Sequence, residues 1–321
     1  MDYLKKMTQL KTVFKYIISL GLIIWLLWSA DIYAILKAFL KMNWNSFILI
    51  LFLYFGSHYI NTYKWSKLLK KYSICRLYVI TLISLYYTMV ISGGQIIGDG
   101  VKIYKLSKDN KELGEISASV IIDRITGFIA LLVVGIIGVY GGTYLDKENI
   151  FIAFIIITIL LFISIYWVYI PFIESFIINI LKFIKTKITK LNNFVLWCLN
   201  FITIWKEYSK NPFLILFVLL IGIIYQTICV WILFIIARDI KINVAFFDLC
   251  WIATIVSIAL VLPITIAGIG VREVTIIYTL RQVGVDKESA LALSFTVFGI
   301  QLIGALVGFL LDFFIPLKRN T

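Results

Sequence analysis

Gly98-Asp99-Gly100-Val101-Lys102 is echoed about 170 residues further on by Gly268-Ile269-Gly270-Val271-Arg272. In both stretches G-x-G-V runs straight into a cation. Each follows an apolar run, and each is followed by a tyrosine, Tyr104 or Tyr278. Glycine-interrupted apolar segments at corresponding places in two halves of a chain point to a binding site built at a repeat interface. These two stretches therefore decide the architecture, and the remaining sequence is read outward from them.

The surroundings are those of a bilayer protein. Apolar residues make up 62% of the 321 residues and charged ones only 15%, more apolar surface than a water-soluble chain of this length can hide. Several runs approach or exceed the ~20 residues that cross a hydrocarbon core. The run 13–30 is too long for the h-region of a cleaved signal and reads as a retained signal anchor. Full spans are expected at about 13–30, 44–63, 116–141, 150–170, 212–237 and 288–315. Two more apolar regions, 78–108 and 245–283, are broken by Ser92-Gly93-Gly94 to Gly100 and by Pro263 to Gly270.

The cations settle how those broken regions run. If both dip in and return to the side they came from, five basic stretches share the cytoplasmic face, as the positive-inside rule asks. They are Lys5 to Lys15, Lys64 to Arg76, Lys102 to Lys111, Lys182 to Lys210, and Lys318-Arg319. A single crossing at 78–108 would put the Lys102 and Lys182 groups outside. The expected fold is thus an all-α polytopic membrane protein with about six full transmembrane helices and two oppositely oriented re-entrant hairpins. Residues 1–321 form one membrane domain: repeat one spans about 44–141, a linker about 150–211, and repeat two about 212–315, in inverted topology. Both termini face the cytoplasm of a cell membrane. The net charge of +13 then reads as orientation and attraction to anionic headgroups rather than nucleic-acid binding. Within the linker, Phe176 to Leu191 alternates apolar residues with lysines, as an amphipathic helix on the inner leaflet would.

Chemistry is expected at the breaks. Irregular backbone at membrane depth survives only where it is packed in protein or lines a wet cavity. Gly93, Gly94, Gly98, Gly100, Gly268 and Gly270 supply the tight turns, and the helix that follows each turn favours anions at its start. Lys102 and Arg272 add full charge within a turn of those breaks. Asp99 and Glu273 are expected to pair with them when no ligand is bound. Asp123-Arg124, an ionised pair inside a span, is costly enough to suggest function or a buried partner. Asp248 and Asp312 are weaker candidates near the interfaces. No cofactor or metal is implied: Cys75, Cys198, Cys229 and Cys250 are scattered, His58 is the single histidine, and no nucleotide or hydrolase motif is present.

At these residues the chain resembles the lysylphosphatidylglycerol synthase transmembrane-region family, also called flippase-like membrane proteins. Gly98-Asp99-x-x-Lys102-x-Tyr104 is similar to the family's G-E-x-x-R-x-Y, and Ser119-Val120-Ile121-Ile122-Asp123-Arg124 to its S-V-x-x-E-R. Leu262-Pro263 through Ala267-Gly268-Ile269-Gly270-Val271-Arg272-Glu273 resembles L-P-x-x-x-G-G-L-G-V-R-E. Gly127 stands where many members carry an acid after E-R-x-x, so a site using that acid is lost or relocated here. The soluble domain that aminoacylates phosphatidylglycerol in bifunctional members is not expected after Leu317. The resemblance implies movement of a polar-headed lipid between leaflets.

The leading expectation is therefore a non-enzymatic lipid translocase. Its cargo would be an anionic phospholipid, a glycolipid or a polyprenyl-phosphate-linked lipid. Arg272 and Lys102 would hold phosphate, and Asp99, Asp123, Arg124 and Glu273 would complete the site. The alternatives are a small-anion transporter and an enzyme or accessory subunit of envelope glycolipid synthesis. Partners would be membrane lipids and not nucleic acid; homo-oligomers and biosynthetic partners are left open.

Overall fold

The computed structural model describes residues 42–91, 94–107, 113–143, 147–166, 171–187, 191–261 and 265–314. The expected span at 13–30 and the terminal basic groups lie outside them, as does Gly93. All regular structure among the described residues is helical. In chain order it comprises α1 (Trp44–Leu68), α2 (Ile74–Val90), α3 (Gly94–Leu106), α4 (Leu113–Gly141), α5 (Lys147–Tyr166) and α6 (Pro171–Lys187). There follow α7 (Asn192–Ser209), α8 (Pro212–Asp239), α9 (Phe246–Ala259), a 3-10 turn (Ile266–Gly268), α10 (Val271–Arg281) and α11 (Lys287–Phe314).

Helix starts follow local chemistry. Asn43 accepts from the N–H of Asn45 at the head of α1, and Ser73 caps α2. Asn211 accepts from Leu214 N, with Pro212 opening α8 where its missing N–H costs nothing. Four helices, Leu113–Gly141, Glu148–Tyr166, Pro212–Asp239 and Lys287–Phe314, are long and apolar enough to cross a bilayer. These correspond to four of the expected spans. The fifth, at 44–63, becomes α1 and continues to Leu68. At ~1.5 Å per residue its 25 residues reach about 37 Å, but its second half carries Ser57, His58, Thr62 and Lys64, all buried. Apolar side chains of α5, Ile152, Ile156, Ile159 and Leu160 among them, are exposed, as expected of a helix against lipid tails rather than water.

Hydrogen bonds define the two ends of the bundle. At one end Tyr208 donates to Leu68 O and Tyr72 to Leu106 O, while Lys105 on α3 pairs with Asp312 on α11. At the other, Asn43 N and Ser46 Oγ donate to the Asp239 carboxylate. There Thr143 donates from both its N–H and its hydroxyl to Asp248. The α2–α3 unit thus leaves the first end and returns to it. Gly98 lies against Ser84 and Thr88, so α3 folds back along α2. The second short pair, α9 and α10, sits between a helix that finishes at the second end (α8) and one that starts there (α11).

Packing between the halves is reciprocal. The first short helix of each half lies along the last long helix of the other, α2 on α11 and α9 on α4, and α1 packs along α8. Small residues allow the α4–α9 approach. A Cβ at Gly138 would fall 2.5 Å from Cys250 Cβ and 2.7 Å from Phe247 O, and Gly135 faces Thr254 in the same way. In lipid, where apolar burial gives little drive, such close backbone contact is a main source of helix association.

Phe176 to Leu191, expected as one amphipathic helix, becomes α6, ending at Lys187. Phe176, Ile180 and Phe183 are exposed, whereas Ile177, Leu181 and Ile184 pack toward α5 and α7. Glu174 accepts from Lys206 of α7 at 2.7 and 2.9 Å.

Candidate functional site

The chain breaks bring the two halves together at their tips. Gly94 (φ 50°) opens α3, and a Cβ there would lie 4.0 Å from Leu260 O at the end of α9. The 3-10 turn packs on α2 and α3, and Met89, Ala267, Phe298 and Ala305 close an apolar cluster around that junction.

Two expectations about the breaks need correction. Gly98 and Gly100 are not part of the first turn; they lie inside α3. Tertiary contact overrides glycine's poor helix propensity here, because a Cβ at Gly98 would stand 2.2 Å from Thr88 Oγ1. Consequently Lys102 is not at a helix start. It is the ninth residue of α3, roughly 12 Å along the axis. Arg272 does sit in the first turn of its helix, after Ala267, Gly268 and Gly270, all with positive φ.

Beside this junction is a cavity of about 330 Å³. Lys64 and Asn61 of α1, Gln95 and Lys102 of α3, and Asp123 and Arg124 of α4 meet there with Arg272 of α10. Much of the remaining wall is apolar, built by Leu131, Leu233, Ile252, Val256, Val297 and Ile300 among others from α4, α8, α9 and α11. Four of the expected residues, Lys102, Asp123, Arg124 and Arg272, therefore line one cavity. Asp99 and Glu273 are not among its lining residues.

The ion pairs differ from the expected set. Asp123 and Arg124 do not pair with each other, since consecutive helical residues diverge. Arg124 instead grips Asp99 with two nitrogens, Nε and Nη2 (Nη2 to Oδ1 at 2.9 Å), and gives Nη1 to Gln95 Oε1 at 2.6 Å. Such a planar fork is the strongest form of charge-assisted hydrogen bonding. Lys102 Nζ is 3.6 Å from the Asp99 oxygen that Nη2 already holds, and it stands 5.3 Å over the Trp65 ring.

Asp123 turns to Lys64. The ammonium donates to Asp123 O at 3.0 Å and lies 3.1 Å from Oδ1, at an angle that leaves that oxygen without a hydrogen bond. By charge grouping Lys64 belongs with the basic interface stretch that runs to Arg76. The structure corrects this: Lys64 is only 2% exposed and is a buried member of the site. A signal for it exists, because Tyr54, Ser57, His58, Asn61 and Lys64 recur at helical spacing and form a polar stripe on an apolar helix. Gly127 also lines the cavity, and a Cβ there would be 3.3 Å from Lys64 Nζ. An acid at that position would reach Lys64, whose counter-charge here comes from Asp123.

Glu273 does not pair with Arg272. Its carboxylate accepts from Gly270 N and from Ser294 Oγ, fixing the turn and tying α10 to α11. Arg272 is 3% exposed. Nη2 donates to Ala267 O, and the guanidinium stacks 4.8 Å over Phe298. Among the described residues Nε and Nη1 have no hydrogen-bond partner, a costly state for buried donors. Asp312, by contrast, is consumed by Lys105 and Tyr87, and Asp248 by Thr143 and Trp251.

Fold and site together define a multi-pass α-helical membrane protein with a cationic cavity at the meeting point of two broken helical pairs. A model of one family, described as the lysylphosphatidylglycerol synthase TM region, matches residues 12–308, and the chain belongs to that family. Neither the curated proteins nor the solved structures return a significant match.

Proposed function

We propose that the protein is a lipid translocase. It would carry a lipid with an anionic headgroup between the leaflets of the cell membrane, through the cleft between two re-entrant hairpins. One observation carries the proposal: a single cavity is lined by buried cations from both broken pairs together with many apolar side chains of the surrounding helices. An amphiphile fits such a lining, with its headgroup at Lys102, Arg124 and Arg272 and its tails along α8 and α9. A small soluble anion has no use for so much apolar wall, which favours the lipid over the anion transporter.

The inverted repeat belongs to the same proposal. Reciprocal packing of α2 on α11 and α9 on α4, with α1 antiparallel to α8, supports two halves of equal element order and opposite orientation. Alternating access would then be a rocking of one half against the other around a fixed site. Cytoplasmic termini belong to the same proposal, supported by Lys70, Lys71 and Lys105 near the end of the bundle where Tyr208 meets Leu68 and Lys105 meets Asp312.

The test is reconstitution into vesicles containing a trace of fluorescent anionic phospholipid. A membrane-impermeant reductant should quench nearly all of the probe, against only the outer-leaflet share in empty vesicles, and Arg272→Gln should restore protection. If no phospholipid, glycolipid or polyprenyl phosphate crosses, translocation is wrong. Lipid mass spectrometry of a deletion strain separates the enzymatic alternative, which requires a modified lipid to disappear.

A further inference from the structure

Among the described residues the ion pairs around the cavity do not balance, and cations are in excess. Asp99 is taken by the Arg124 fork and Asp123 by Lys64. Glu273 is fixed at the turn before α10 by two uncharged donors, beyond ion-pair distance of Arg272, so it offsets that cation only in part. Asp312 and Asp248 are engaged elsewhere. Two buried cations are left short of charge. Lys102 shares at 3.6 Å an oxygen already committed to Arg124. Arg272 has no carboxylate within ion-pair distance among the described residues, is attracted by Glu273 only from farther off, and keeps two nitrogens without a hydrogen-bond partner. One comes from each broken helical pair, and both line the same cavity.

An uncompensated buried charge is expensive, and a ligand that neutralises it recovers that cost on binding. We infer that the cavity selects a dianionic phosphate group, a phosphomonoester or a diphosphate, over the single charge of a phosphodiester. Lys102 and Arg272 each meet one of its charges. A monoanion neutralises one cation and leaves the other buried alone. A zwitterionic headgroup brings a third cation into the site. Arg272 contributes donors as well as charge, because Nε and Nη1, on different edges of the guanidinium, are each left to meet an oxygen. The inference names the substrate class of the translocase site and rests on that reading for the lipid as the source of the phosphate.

Binding of water-dispersible short-chain lipids to the detergent-purified full chain tests it. At pH 8, dioctanoyl phosphatidic acid should bind roughly tenfold more tightly than dioctanoyl phosphatidylglycerol, the equivalent of one charge-assisted hydrogen bond. The preference should shrink at pH 5.5, where a phosphomonoester loses its second charge. Arg272→Gln and Lys102→Met should each reduce phosphatidic acid to the phosphatidylglycerol level, while Arg272→Lys keeps most of the preference. Equal affinity for the two lipids at pH 8, or a preference that survives Arg272→Gln, overturns the inference. If the Arg272 variant does not fold, Lys102→Met and the pH series on the unaltered protein decide the matter in its place.

Vesicle assays and free inorganic phosphate and pyrophosphate complete the test. Both lipids crossing equally well without preferential binding would leave the translocase standing and remove the dianion. Tight pyrophosphate binding that depends on Arg272, with no lipid moved, would keep the dianion and remove the translocase.

Discussion

The two G-x-G-V-cation stretches share their letters and not their backbones. In the first, both glycines are helical, and Gly98 is a notch that lets α3 lie against α2. Lys102 emerges deep in that helix, beside an acid and an indole ring. In the second, both glycines have positive φ and form the turn itself, so that Arg272 is delivered at the start of α10 with donors to spare. The same spacing serves packing in one half and chain reversal in the other. Yet both cations arrive at one cavity, because each stretch lies in the returning arm of a broken helical pair. A repeated motif can thus mark a shared destination without a shared local structure.

The acids beside the two cations should separate most strongly. Asp99 is the counter-charge for Arg124 and the nearest acid to Lys102, so Asp99→Asn leaves two cations under-compensated in a largely buried place. Breaking such a pair from one side costs several kcal/mol in a dry interior. With the Arg124 side chain about a third exposed, a loss of about 2 kcal/mol is expected after allowing for solvent screening. Glu273→Gln breaks no ion pair within 4 Å among the described residues and removes only a more distant attraction to Arg272, and Gln serves at the third position of a capping box, so its cost should stay below about 1 kcal/mol. Thermal unfolding midpoints in detergent measure both. Equal losses would mean that Glu273, like Asp99, is a counter-ion.

The glycine pair that is crowded comes next. Gly98→Val drives a side chain into Thr88 Oγ1 and toward Ser84 O, an overpacking expected to cost about 1–3 kcal/mol. Adding Thr88→Ala should recover much of it, because the obstacle is a removable side chain. Gly268→Ala also meets a side chain, Leu260 Cδ2 at 2.4 Å, but at φ +72°. The left-handed backbone costs about 1–2 kcal/mol whatever the neighbours do, so adding Leu260→Ala should not rescue it. Rescue of both or of neither would erase the distinction between packing glycine and turn glycine.

These contrasts also show what is legible in the sequence. Long apolar runs and the distribution of lysines point to the helices and their pairing, since burial and headgroup attraction act on composition that can be counted. Lys102, Arg272, Asp123 and Arg124 stand out because ionised groups inside apolar runs are costly wherever they point. Their partners do not. Whether Arg124 meets its neighbour Asp123 or Asp99, 25 residues earlier, depends on how α3 lies against α4, which no spacing encodes. Lys64 is hidden for a different reason. It begins a basic stretch whose other members, Lys67, Lys70, Lys71 and Arg76, fit an interface, and counting charge blurs the helical stripe that places it inside. The helical state of Gly98 and Gly100 is hidden because glycine's permissiveness suggests a turn, whereas the packing uses its small size.

The smallest effects give the sharpest comparison, because they differ in sign. Gly100 and Gly270 hold the same place in the two stretches, and a Cβ on either would meet nothing within 4 Å. Side-chain crowding is therefore absent from both, and only the backbone distinguishes them. Gly100 is inside α3 with ordinary helical geometry, so Gly100→Ala should stabilise the protein by about 0.5–1 kcal/mol by limiting the unfolded chain and favouring helix. Gly270 has φ +87°, so Gly270→Ala should destabilise it by about 1–2 kcal/mol. If the proposed lipid translocation is right, the second change should also reduce it beyond its effect on stability, because Gly270 N anchors the Glu273 carboxylate that sets the turn and thereby aims Arg272, and Gly100→Ala should leave it as it is. Matched signs in the unfolding midpoints would mean that the two stretches share one conformation after all, and that the difference between packing notch and turn is misplaced.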